Sequence, residues 1–261
     1  MRTLSLFLTY LRVGALNELQ YRANLAIQLV ESAISLFTGL VVLNLVFSQV
    51  SDLNGWSQAE LLAVLGVFTL VGGIIGMFIQ PNMERLIGDV RQGTLDYVLT
   101  KPDDSQVLVS VREVRIWKLV DVVLGFVILA VALVRLEGRL GPLDALAFAV
   151  ALLLGASMVY CFWLLLTTAA FWIVRMDEIV ELFTGLYESG RWPVTLYPEW
   201  LRLGLTFLVP VAFAVTVPAE ALTGRLTPDL LAAAAAFSAV LLVVTRVVWR
   251  RALRRYSGAS A

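Results

Sequence analysis

"RMDEIVELFTGLYESGRWPVTLYPEWLRLGLTFLVPVAFAVTVPAEALTGR", residues 175–225, decides how many times this chain crosses a bilayer. It contains one apolar run, 201–217, with Pro210 inside it and Pro218 at its end. A more polar helical pattern, 175–192, comes first. The surrounding segments are plainer. A bilayer core takes about 20 apolar residues of helix, and 24–47, 61–79, 116–134, 144–174 and 229–249 each supply such a run. With 59% hydrophobic and only 15% charged residues, the 261-residue chain is no ordinary soluble domain.

Basic residues collect in cytoplasmic loops. Arg2, Arg12 and Arg22 precede the first span. Arg85, Arg91, Lys101, Arg112 and Arg115 lie in 80–115, and Arg246, Arg250, Arg251, Arg254 and Arg255 lie at the end. The 48–60 loop has none, and 135–143 has only Arg135 and Arg139. Both termini and the 80–115 loop are therefore expected in the cytoplasm, which requires an even number of spans, six. The sixth comes either from 201–217, which hydropathy selects, or from 176–192. Pro193, Pro198, Pro210 and Pro218 each limit a continuous helix. The expected arrangement is therefore a short span at 176–192, followed by a broken re-entrant hairpin over 193–225. Asp177, Glu178, Glu181 and Glu188 then have to face an interior. The fold class expected is an all-α integral membrane protein.

Residues 2–20 have the early arginine and short apolar run of a signal peptide, but Arg12 interrupts before any cleavage site. Leu4, Phe7, Leu8, Leu11 and Ala15 share one helical face, which predicts an amphipathic helix lying at the membrane surface.

Several function classes are weakened by composition. Formal net charge is zero, which gives no pull towards nucleic acid. The absence of histidine removes the commonest general base and metal ligand. Cys161, alone within an apolar block, reads as a packing residue. No G-x-x-x-x-G-K-[ST] phosphate loop occurs, so the chain is not expected to be an enzyme or to hold a cofactor or metal.

Within 80–115, Pro81 is expected to end the second span. Met83, Leu86, Ile87 and Val90 then form the apolar side of a short amphipathic helix edged by Glu84, Arg85 and Asp89. Gly93 permits a sharp break. Thr94 is a candidate N-cap, Leu95, Val98 and Leu99 lie on one side of a second short helix, and Pro102 stops it. Such spacing suits either a lid on the chain's own bundle or a surface for a partner; the plainer alternative is a solvated loop.

Carboxylates at membrane depth are costly, by roughly 2.5–3.5 kcal/mol for Asp at a helix centre. Glu31 and Asp121 therefore raise two readings, with Glu181 and Glu188 beside them: a polar translocation path, or interfacial anchoring with a helix–helix hydrogen bond. Lys118, one turn before Asp121, is placed to pair with it. Gly72, Gly73 and Gly76 suit close helix packing. Trp56, Trp192, Trp200 and Trp249 suit an interfacial belt.

The string "ERLIGDVRQGTLDYVLTKPDDSQV" (84–107) resembles the loop after the second span in type-2 ABC transporter permeases. The stretch 191–225 is similar to that family's outer region before the last span, although Val209 stands where an asparagine–proline step is usual. More narrowly, it resembles a poorly characterised branch with paired permeases. The resemblance covers nearly the whole chain in span order. It implies that a coupling helix in 80–115 docks on a cytoplasmic ABC ATPase. Leu95, Tyr97, Val98 and Leu99 would be the apolar anchors and Arg91, Asp96 and Lys101 the rim, with Glu84, Arg85, Asp89, Gly93, Thr94 and Pro102 completing the motif. It further implies that ATP and Mg are bound by that ATPase, and that a second permease, identical or related, completes the pair. The implied setting is a bacterial cytoplasmic membrane, and the implied task is export of a hydrophobic or amphipathic substrate. An ion-coupled secondary transporter using the intramembrane carboxylates, or a membrane scaffold, are the alternative readings.

Overall fold

The computed structural model describes residues 22–136, 141–169, 177–254 and 256. The expected surface helix 2–20 and the last residues of the 144–174 segment lie outside them. Among the described residues ten helices follow one another: α1 (Arg22–Phe47), α2 (Gln58–Gln92), α3 (Asp96–Leu99), α4 (Ser105–Val111), α5 (Ile116–Arg135), α6 (Pro142–Thr168), α7 (Asp177–Glu188), α8 (Glu199–Leu208), α9 (Ala212–Leu222) and α10 (Pro228–Leu253), with short 3-10 turns at Ser189–Arg191 and Val194–Leu196 between α7 and α8. No strand occurs among the described residues beyond an isolated bridge, Leu53–Trp56, which closes a turn through Asn54 and Gly55.

This is an all-α integral membrane protein. Five helices, those of α1, α2, α5, α6 and α10, are long and apolar enough to cross a bilayer. The pair α8–α9, bent by 80°, makes a sixth if it is counted as one broken span. The bend falls at Val209–Pro210, where Val209 leaves the helical region (φ −118°, ψ 105°).

α2 is the central helix. Its most apolar window is 78% buried, against 17% for α1 and 17% for α10. Apolar side chains on the outer helices, among them Ile34, Phe37, Val123, Phe126 and Val243, point away from the bundle. Lipid is as apolar as leucine, so helices here associate by close packing and hydrogen bonds rather than by hydrophobic burial. Glycine sets the closest approaches. A Cβ on Gly125 of α5 would lie 2.6 Å from the backbone nitrogen of Leu70 in α2. One on Gly155 of α6 would lie 2.4 Å from the carbonyl oxygen of Phe213 in α9. Gly73 likewise has room only for hydrogen against Val122, as its small-residue spacing suggested.

α2 opens with a reciprocal cap: Glu60 N–H donates to Ser57 Oγ (3.3 Å) and Ser57 N–H donates to Glu60 Oε2 (2.7 Å). It does not end at Pro81, which corrects that expectation. A π-helical turn over Ile75–Ile79 inserts the slack the proline ring needs, and the helix continues to Gln92. The carbonyl of Met77, deprived by Pro81 of its usual donor, accepts instead from Arg115 N–H at 3.0 Å.

Thr167, Tyr187 and Thr195 find partners that run from Met83 of α2 through Phe68 to Trp56, just before that helix. Thr167 Oγ1 donates to Met83 Sδ (3.4 Å), Phe183 packs on Trp163 (4.5 Å between centroids), and Tyr187 Oη donates to Phe68 O (2.8 Å). Met83 to Phe68 is roughly 22 Å of helical rise. Trp56 Nε1 then donates to Thr195 Oγ1 at 3.1 Å, and Arg225 pairs with Glu60 at 2.8 Å. Both ends of 193–225 thus lie at the Trp56 end of the bundle. Trp56 and Trp249 are buried, their indole N–H groups held by Thr195 and Ser105 hydroxyls, so the expected aromatic belt is corrected at these two positions. Trp200 is the exposed one.

Candidate functional site

The 80–115 segment is a folded platform. On α2, Met83, Leu86 and Ile87 turn inward while Glu84, Arg85 and Asp89 line the other side. Gly93 ends the helix in the left-handed region (φ 70°, ψ 15°), where a side chain would be strained. Thr94 is not the cap of α3, contrary to expectation: its hydroxyl donates to Asp89 Oδ1 (3.0 Å), because the chain turns back over α2 and brings that carboxylate within reach. Asp104 caps α4 instead, accepting from Gln106 and Val107 N–H (3.0 and 3.3 Å).

Three sets of ties fix the platform. Asn82, fully buried, donates to Phe78 O and Glu113 O (both 2.7 Å) and accepts from Arg112 N–H (2.8 Å) and Glu113 N–H (2.9 Å). Ion pairs join α2 to the turn after α4: Arg112–Asp89 (2.7 Å), Arg85–Glu113 and Arg115–Glu84. Finally, Arg246 of α10 donates to Asp104 Oδ1 and Gln106 Oε1 (both 2.9 Å), and Ser110 and Tyr160 share a hydroxyl hydrogen bond of 2.8 Å. The hydrogen bond from Arg246 holds the Asp104 carboxyl below its ordinary value.

The residues expected to anchor a partner divide. Leu95 and Val98 are buried in the chain's own core, with Leu99 partly buried against it, which corrects their assignment as outward anchors. They hold α3 down because Gly93 turns their face onto α2. Tyr97, on the opposite side, is 76% exposed. Arg91, Lys101 and Pro102 are exposed around it, and Asp96 is half-buried.

A second polar feature is a cleft of about 230 Å³ between α1, α2, α5 and α7. Asp121 sits in its wall as the acceptor of three side chains: Gln28 Nε2 (3.1 Å), Lys118 Nζ (3.2 Å) and the Ser32 hydroxyl. The stem of Lys118 lies along Gly76. Glu31 and Glu188 also line the cleft, Glu188 paired with Arg191 at 2.7 Å. The cleft thus brings together Glu31, Asp121 and Glu188 but not Glu181, which is exposed elsewhere on α7. Phe68 and Tyr187, stacked at 4.9 Å, supply an aromatic wall.

Sequence reading missed Asn82, Arg246, Gln28 and Ser32. Gln28 and Ser32 carried a usable signal, since two polar residues one turn apart in an apolar span need a polar partner in a neighbouring helix. Asn82 carried none, because it reads as an ordinary polar residue of a charged loop.

The family model described as ABC-2 family transporter protein matches residues 33–260. No curated protein and no solved structure matches the chain.

Proposed function

The chain belongs to the ABC-2 family of transporter proteins and is a membrane-spanning transport subunit; on that premise we propose that it docks on a separate cytoplasmic ATPase through the 80–115 platform. In this reading the ATPase binds ATP and Mg, and its closure rocks a pair of permeases, identical or related, between inward- and outward-facing states. The cargo is a hydrophobic or amphipathic molecule and the direction is export. The setting is the bacterial cytoplasmic membrane, with both termini inside. α7 makes the fifth crossing, supported by contacts that climb α2 from Met83 towards Trp56. The 193–225 region is then an outer re-entrant element. The cleft carrying Glu31, Asp121 and Glu188 lies on the translocation path.

One observation carries the docking assignment. The platform is cross-tied by Asn82 and its ion pairs to α2 and α10, yet it leaves the large aromatic Tyr97 exposed. A two-state transporter transmits force only through a contact that does not deform. A loop whose sole task were to connect α2 to α5 would gain nothing from this rigidity. The test is Tyr97→Ala in protein co-expressed with the ATPase. The variant folds and inserts as the wild type does, but recovers ATPase at least about tenfold less well, as expected for loss of an aromatic hot spot. Unchanged recovery by this variant would refute the assignment.

A further inference from the structure

The platform contains a pocket of about 420 Å³ beside Tyr97, lined by Arg85, Asp89, Thr94, Lys101 and Arg112. Its floor is Arg112, whose side chain is only 7% exposed. One nitrogen of that guanidinium, Nη1, meets Asp89. The other two, Nε and Nη2, are buried with no acceptor among the described residues. A buried donor left without an acceptor is a standing cost that folding alone does not explain. Asp89 does not satisfy them: its Oδ1 accepts from Thr94, and its Oδ2, 2.7 Å from Nη1, is itself buried without a hydrogen-bond partner among the described residues.

The charges around the pocket are equally unbalanced. Three cations, Arg85, Lys101 and Arg112, face one carboxylate, Asp89. Glu113 is committed to Arg85 and Asp104 to Arg246. Lys101 makes no ion pair among the described residues.

We infer that this pocket receives a side-chain carboxylate of the docked ATPase subunit, seated between Lys101 and Arg112 with the Tyr97 ring against its flank. The inference rests on the docking reading above and adds the chemistry of the partner's surface. A guanidinium presenting two adjacent N–H donors matches a carboxylate fork. Thr94, whose hydroxyl donates to Asp89, and Tyr97 complete the lining. A lipid phosphate fits the position less well. Asp89 lies about 44 Å of helical rise from Glu60 in the first turn of α2, more than the roughly 30 Å of hydrocarbon that one crossing spans. The basic lining also makes the predicted groove on the ATPase acidic.

The experiment titrates purified ATPase against the full-length protein in nanodiscs of neutral lipid, using wild type, Lys101→Glu, Lys101→Arg and Tyr97→Ala. Lys101 is exposed and makes no ion pair among the described residues, so its replacement leaves the fold intact. The expected result is about a tenfold weaker association for Lys101→Glu, near-wild-type association for Lys101→Arg, and a wild-type affinity that falls with added salt more steeply than that of Lys101→Glu. If wild type and Lys101→Glu bind equally while Tyr97→Ala fails, the docking reading survives and the carboxylate pocket is wrong. If wild type binds no ATPase at all, both fall together. A Lys101→Glu defect that appears only when anionic lipid is present would give the pocket to a headgroup and also overturn the inference.

Discussion

The two ends of α2 are tied down by different chemistry. At the Asn82 end, a fully buried amide makes four hydrogen bonds to backbone, and a largely buried ion pair, Arg112–Asp89, sits beside it. At the Glu60 end, one hydrogen bond of the buried Trp56, from Nε1 to Thr195 Oγ1, is joined by an exposed arginine: Arg225 pairs with Glu60, donates to Gly55 O, and lies 4.6 Å over the Trp56 ring. Buried hydrogen bonds are costly to break because the orphaned group has no water. Exposed ion pairs contribute about 0–1 kcal/mol and are easily exchanged for solvent. The Asn82 end therefore holds more buried polar contacts than the Glu60 end. Under the proposed docking, force would enter at the end with more buried contacts.

The largest expected effect is at Asn82. Asn82→Ala orphans buried backbone groups at a cost of about 1–3 kcal/mol each, so limited proteolysis in nanodiscs should cut within 91–115 where the wild type resists. A platform that stays resistant would remove the claimed stiffness. At the opposite end, Arg225→Ala should lower thermal stability by about 1 kcal/mol or less, combining an exposed ion pair with a cation–π contact. Hydrogen exchange at 53–60 should nonetheless quicken. Equal stability losses at Asn82 and Arg225 would erase the contrast.

The smallest effect concerns pH. Asp104 has a folded value held below the ordinary 3.8 by Arg246, so the Asp104–Arg246 tie is fully present above that value. It is lost as pH falls through the lower folded value. Exchange protection of 104–111 should thus be flat from neutral pH down to about 4 and fall only below it; Asp104→Asn should abolish that acid step.

Much of this was legible in the sequence, for definable reasons. Long apolar runs give spans because lipid admits little else, and the placement of Gly93 at a left-handed turn followed from its lack of a Cβ. Pro81 misled because a π-turn and a borrowed donor, Arg115 N–H, remove the penalty that normally stops a helix. Leu95 and Val98 were read on the correct face of α3, but nothing local says whether that face meets the chain's own core or a partner. Trp56 and Trp249 sit at segment ends like belt residues, yet long-range hydroxyls bury them. In each case the deciding contact is distant in sequence and has no periodic signature. The cleft was half visible: the carboxylates stood out as charges in apolar runs, and Gln28 and Ser32, one turn apart, called for a polar partner, but that the partner is Asp121 shows only where α1 meets α5.

The most direct test of the central claim is the side and accessibility of residue 101. A Lys101→Cys variant, in which the buried Cys161 is shielded, is treated with a membrane-impermeant maleimide in sealed vesicles of both orientations. The account predicts labelling in inverted vesicles only, and protection once the ATPase is bound. Labelling from the outer face, or labelling indifferent to bound ATPase, would contradict it.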